Sequence, residues 1–112
     1  MSFRVQLSSR ARREFFDAAG WWAEHRDVDQ AARWIGGLEA KIESLRDDPL
    51  QHPVIHEHDL YEWKHTYRRI LFGLGRRPTH RAIYRVDDDL QTVFVVSIRH
   101  ASQADIAPED VE

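Results

Sequence analysis

Apolar and polar residues alternate from the first few positions: Phe3, Val5 and Leu7 are separated by Arg4 and Gln6, the period of a strand with one buried face. From Ser8 the period changes. Ala11, Phe15, Ala18 or Ala19, and Trp22 recur at three- and four-residue intervals, which winds them onto one face of a helix. Ser8 and Ser9 carry hydroxyls suited to cap its first N–H groups, and it is predicted to end near His25 or Arg26. Asp27 and Asp29 then supply a turn and the N-cap of a second helix. Within it Ala31, Ile35, Leu38, Ile42 and Leu45 form a continuous seam, as expected of a helix packed along another, and Asp47, Asp48 and Pro49 stop it. The spacing predicts an antiparallel helical hairpin. Gly36 and Gly37 each cost a helix interior about 1 kcal/mol relative to alanine, so a close approach by Trp21 or Trp22 is expected there.

No period holds over residues 50–65, whose Gln51, His52, Pro53, His56, Glu57, His58 and Asp59 are loop-like. Strand signals return at 67–74, 80–86 and 93–98, separated by turns at 75–79 and 87–91. In the second run Ala82, Tyr84 and Val86 alternate with Arg81, Ile83 and Arg85, which assigns Tyr84 to the packed face. The third, Val93-Phe94-Val95-Val96-Ser97-Ile98, is almost continuously apolar, as expected of a strand covered on both faces at the sheet centre. The order β-α-α-β-β-β predicts an α+β fold, a helical hairpin packed on a mostly antiparallel four-stranded sheet, with the pairing order of the strands left open. A chain of 112 residues supports one hydrophobic core and not two, so residues 1–112 are expected to form a single domain.

Apolar residues at 42% and charged ones at 31% make an ordinary globular balance, which argues against disorder. The absence of cysteine excludes disulfides and thiolate catalysis. Residues 1–7 carry no apolar signal core, and no apolar run nears the ~20 residues that span a bilayer, so a cytoplasmic protein without a membrane partner is expected. The net charge of −3 is unusual for a phosphate-binding protein. Its distribution changes the picture. The charged residues from 64 to 85 are Lys64, Arg68, Arg69, Arg76, Arg77, Arg81 and Arg85, with no acid among them, whereas Asp105, Glu109, Asp110 and Glu112 crowd the end. This asymmetry predicts a basic working face and an acidic back. If Ala82, Tyr84 and Val86 face the helices, Arg81 and Arg85 project from the opposite, exposed face.

Two clusters have plain readings. His52, His56, Glu57 and His58 lack the spacing of a helical zinc pair and belong to a loop, so a solvated segment and no metal is expected. Trp21 and Trp22 are adjacent on a helix and cannot share one core. With Trp34 they lie on the hairpin, away from the basic strands, and are assigned to the core or to a partner contact rather than to nucleobase stacking.

Three segments occur in a telling order: Arg68-Arg69-Ile70-Leu71-Phe72-Gly73, then His80-Arg81-Ala82-Ile83-Tyr84-Arg85-Val86, then Val95-Val96-Ser97-Ile98-Arg99-His100. Together they resemble the C-terminal half of the RelE/ParE superfamily of toxins from type II toxin–antitoxin systems. The first strand, the Ser8-Ser9-Arg10-Ala11 helix start and the hairpin agree in order and spacing, so the resemblance covers nearly the whole chain. It implies a growth-inhibiting toxin of the plasmid-stabilisation kind, without a cofactor, neutralised by a cognate antitoxin whose extended or helical tail wraps it. On this reading Trp21, Trp22 and Trp34 are the antitoxin-binding candidates. Two targets divide the superfamily. RelE-like members cut messenger RNA on the ribosome, while ParE-like members inhibit DNA gyrase and show no nuclease activity. A third reading is an interaction module that keeps the fold without toxicity.

Metal-free RNA cleavage needs a base for the 2′-hydroxyl, an acid for the leaving oxygen and a cation for the phosphorane. The resemblance places Arg81 at a catalytic arginine, and Arg68 or Arg69 where RelE-like toxins carry lysines. A guanidinium clamps phosphate but, titrating above ~12, transfers protons poorly. His100 has an imidazole suited to acid–base work, with an ordinary pKa near ~6.5. The tyrosine that follows in RelE-like enzymes is replaced here by Ala101, Ser102, Gln103, Ala104 and Asp105. Arg81 and His100 are thus the catalytic candidates if the protein is RelE-like, and Arg68, Arg69, Arg81, Arg85 and Arg99 the target-binding ones in either case. The bland alternative for Arg81 is an ion pair with Asp59 or Glu62. The incomplete acid–base set favours the gyrase-directed reading.

Overall fold

Both helices begin where the sequence offers a cap. The Ser8 hydroxyl accepts the Ala11 N–H at 3.0 Å and opens α1, Ser9–His25. The Asp27 carboxylate accepts the Gln30 N–H at 2.7 Å and opens α2, Val28–Glu43, which closes in a single 3₁₀ turn at Ser44–Arg46. These contacts satisfy N–H groups that the helix itself leaves without partners. In this computed structural model, residues 2–55, 63–104 and 106–111 are described.

The strands are β1 (Arg4–Leu7), β2 (Tyr67–Phe72), β3 (His80–Asp87) and β4 (Thr92–His100), in the spatial order β1-β4-β3-β2. β2, β3 and β4 form an antiparallel meander, while β1 pairs parallel to β4 through Val5↔Val93 and Leu7↔Val95. The sheet is therefore mixed. β4 lies between β1 and β3, which accounts for its near-continuous apolar run. A short helix, α3 (Pro108–Val111), ends the described chain.

The hairpin covers one face of the sheet. Ala11 and Phe15 of α1 and Trp34, Leu38 and Ile42 of α2 meet Ile70, Ala82, Tyr84, Val93, Val95 and Ile98 from the strands. Tyr84 is fully buried, as its alternation predicts, and its hydroxyl donates to the Pro49 carbonyl at 2.6 Å. Burial pushes that phenol's pKa up. The glycines of α2 serve a different neighbour from the one expected. A Cβ on Gly37 would run into Cζ of Phe72, so the close approach is by the last residue of β2 and not by Trp21 or Trp22, and Gly36 faces open space.

The other face is not bare. Tyr67, Ile83 and Ile106 form a second apolar cluster there, supported by Ile55, Trp63 and Val96, so the C-terminal segment folds back across the sheet. A bulge divides the residues of β4 between the two faces. Ile83 pairs with Ser97 but Tyr84 pairs with Val95, leaving Val96 as an extra residue. Val95 and Ile98, three apart, consequently both reach the helix-covered core. Beyond the bulge the parity of the strand is reversed: His100 pairs with His80 on the helix side, and Arg99 with Arg81 on the side of the tail.

Candidate functional site

Four of the predicted arginines lie on the tail face, and three of them, Arg69, Arg81 and Arg99, gather at one end of it. Arg81 rises from β3 into the angle between β4 and the returning tail. Its Nη1 donates to the His100 carbonyl at 2.8 Å and its Nη2 to the Gln103 carbonyl at 2.6 Å. Arg99, opposite it on β4, donates from Nε to the Ala104 carbonyl at 2.8 Å. Both guanidiniums hold the main chain of the tail, whose carbonyls would otherwise lie against a sheet unable to pair them. Arg81 is only 6% exposed, which corrects the expectation that it projects freely into solvent. The physical reason is the tail, since residues 101–104 and Ile106 occupy the space that an isolated sheet would leave open. Arg69 shares this side, half-buried, in a hollow of about 500 Å³ that Arg81, Leu71, Pro78 and Ala104 also line. Its Nε has no hydrogen-bond partner among the described residues.

The remaining arginines are spread out. Arg85 lies on the tail side, where its guanidinium stacks 4.5 Å above the Phe94 ring. Arg68 pairs with Tyr84 across the strands and donates to the His52 carbonyl at 2.7 Å. Arg76 and Arg77 are exposed on the turn between β2 and β3. The five target-binding candidates Arg68, Arg69, Arg81, Arg85 and Arg99 therefore divide between the two sides of the sheet, with Arg69, Arg81 and Arg99 forming the one tight group. His56, Glu57, His58, Asp59 and Glu62 lie outside the described residues. Among the described ones no group of three or more His, Asp or Glu side chains is placed to hold a metal ion, and no helix is long and apolar enough to cross a membrane.

On the opposite side, a cavity of about 670 Å³ opens between α1 and the ends of β3 and β4. Glu14, Asp17, Ala18, Trp21 and Trp22 reach it from successive turns of α1, and Thr79, His80, Ile98 and His100 from the strands. His80 is buried at its floor. Its Nδ1 contacts the Thr79 hydroxyl at 2.8 Å, and its ring lies edge-on to Trp34 at 4.9 Å and to His100 at 5.1 Å. Burial, with the neighbouring His100 second, lowers the pKa of His80 to about 4, so the ring is neutral at physiological pH. Glu14 points inward: one carboxylate oxygen accepts from the Ser97 hydroxyl at 2.8 Å and the Ile98 N–H at 3.2 Å. His100 is exposed at the rim, its Nδ1 2.7 Å from the Ser102 hydroxyl.

The two catalytic candidates thus adjoin only through the main chain, where Arg81 donates to the His100 carbonyl. The guanidinium of Arg81 and the ring of His100 lie on opposite faces of the sheet, a separation created by the β4 bulge. The three tryptophans divide as well. Trp21 is 46% exposed and Trp22 half-buried, but Trp34 is wholly buried beneath α1 and against His80. This corrects its assignment as a contact residue, since an indole filling the core has no surface to offer. His80, Glu14 and Asp17 escaped the sequence reading. Helical spacing from 14 through 17 and 18 to 21 and 22 was the available signal for the carboxylates, whereas His80 needed the register of β3 against β4.

Residues 5–105 match the family described as "ParE toxin of type II toxin-antitoxin system, parDE". The chain belongs to that family. No curated protein matches its sequence. Among solved structures, it is similar to a chain of the chromosomal ParDE toxin–antitoxin system from P. aeruginosa, with a TM-score of 0.66 at 10% identity over 88% of this chain and 96% of that one. It is also similar to a chain of the RelBE2 toxin–antitoxin complex from Mycobacterium tuberculosis, with a TM-score of 0.60 at 19% identity over 92% and 95%. At such identities the likeness shows the shared fold, two helices on a four-stranded mixed sheet. The protein is a toxin of a type II toxin–antitoxin system, of the ParE/RelE kind.

Proposed function

We propose that this toxin acts by binding DNA gyrase rather than by cutting RNA, and that a cognate antitoxin neutralises it by covering the hairpin side. The carrying observation is the placement of Arg81 and His100 on opposite faces of the sheet, with the Arg81 guanidinium engaged by tail carbonyls. General acid–base cleavage needs its groups within hydrogen-bond reach of one phosphodiester. His80 and His100 do form a pair of imidazoles, but Glu14 and Asp17 border the same cavity and repel a phosphate. The description of the matching family as ParE toxins agrees with this reading, while the fold is shared with both a ParDE and a RelBE2 chain.

Primer-extension mapping of transcripts after induced expression tests it. The expected result is growth arrest with no new cleavage sites in messenger RNA. Discrete cuts within codons that vanish in His100→Ala would establish the nuclease reading instead.

A further inference from the structure

The cavity beside α1 has a composition that neither gyrase binding nor tail anchoring requires. Asp17 has no hydrogen-bond or ion-pair partner among the described residues, and Glu14 adds a second negative charge that Arg10, 3.6 Å away, only partly offsets. Among the described residues lining the cavity, Arg26 is the one arginine or lysine, and its guanidinium lies 5.9 Å from the centre of the Trp21 ring. Trp21 and Trp22 meet edge to face, centroids 5.6 Å apart and planes at 87°, with His25 stacked on one face of Trp21 at 4.8 Å, and the corner they form lines the cavity together with the carboxylates.

These features select the occupant by chemistry. A phosphate or carboxylate meets like charge. A purely apolar side chain would strip water from Asp17 and leave its charge unpaired. A guanidinium, by contrast, is flat enough to lie against indole and offers a planar fork of donors to a carboxylate; a lysine ammonium supplies the charge without the flat face or the fork. From Glu14 to Trp22 the lining runs along about 12 Å of helix axis, the reach of about four extended residues, which suits a chain segment better than a free amino acid. We propose that this cavity is a receptor for an arginine side chain presented by the antitoxin, the guanidinium pairing with Asp17 against the Trp21–Trp22 corner. The proposal rests on the reading of the hairpin side as the antitoxin's.

Two measurements separate the pocket from the partner. In the first, the full chain is titrated with N-acetyl-arginine amide and with the uncharged N-acetyl-citrulline amide, and the indole N–H resonances are followed by NMR. Arginine should shift the Trp21 and Trp22 signals and bind about tenfold more tightly than citrulline, and the preference should vanish in Asp17→Asn. Equal binding of the two probes, or shifts confined to Trp34 and Trp63, would overturn the proposal. In the second, the complex with the product of the adjacent reading frame is compared for the native chain and Asp17→Asn. An affinity reduced about tenfold, partly restored in Asp17→Glu, is expected. If the complex forms and Asp17→Asn binds as well as the native chain, the pocket proposal fails and the antitoxin reading stands. If the arginine probe binds but no complex forms, the antitoxin reading fails and the pocket stands. Asp17 is exposed and without partners among the described residues, so its replacement leaves the melting temperature as a control for folding.

Discussion

Two side chains define the chemistry at the residue scale. Arg81 acts as a clasp on the tail, so Arg81→Ala should cost about 2–3 kcal/mol in urea unfolding by removing two charge-assisted hydrogen bonds to the carbonyls of His100 and Gln103. Arg85→Ala loses only a stacking contact on Phe94, worth about 0.5–1 kcal/mol. Equal and small effects at both positions would remove Arg81 from the clasp role. His80 sets a pH dependence. Its pKa is about 4 in the folded chain against an ordinary 6.5, so the unfolded chain takes up the proton first as pH falls. Stability is therefore intact above about pH 6.5 and declines as the pH drops toward 4, by about 2 kcal/mol between pH 7 and pH 5. His52 is shifted in the same direction, by burial first and then by Lys41 and Arg68. In His80→Gln the slope of melting temperature against pH should flatten; a slope unchanged by that replacement would place the titrating group elsewhere.

At the scale of elements, the contact between α2 and β2 gives neighbouring glycines opposite signs. Gly37→Ala drives a methyl into the Phe72 ring and should destabilise by about 1–3 kcal/mol. Gly36→Ala enters open space and should stabilise by up to about 1 kcal/mol through helix propensity. Thermal unfolding of the two variants checks the pair, and two shifts of the same sign would contradict the packing described. The same scale shows what the sequence made legible. Caps at Ser8 and Asp27, the seam from Ala31 to Leu45 and the alternation around Tyr84 are local patterns, and each reached the structure intact. The bulge at Val96 is not local. Val93 and Val95 face the helices, and strict alternation from them would turn Arg99 toward the helices and His100 toward the tail. The extra residue exchanges those sides, which is why the candidate site divides in a way the sequence alone did not reveal. The burial of Trp34 and the return of Ile106 across the sheet likewise depend on long-range packing, which no period in the chain announces.

Considered as a whole molecule, the toxin has two differently charged sides on one small sheet. The tail side carries Arg69, Arg81 and Arg99 with the C-terminal segment laid over them, and the hairpin side carries carboxylates together with exposed indole. Such a division allows target and antitoxin to be recognised by different chemistry. The most direct test of this account is a supercoiling assay with purified gyrase, relaxed plasmid and the purified chain, run with and without the adjacent gene product. Dose-dependent loss of supercoiling, reversed by the antitoxin and unaffected by His100→Ala, is the predicted result. Full supercoiling at toxin concentrations in molar excess over gyrase, in a preparation that arrests growth when expressed, would contradict it.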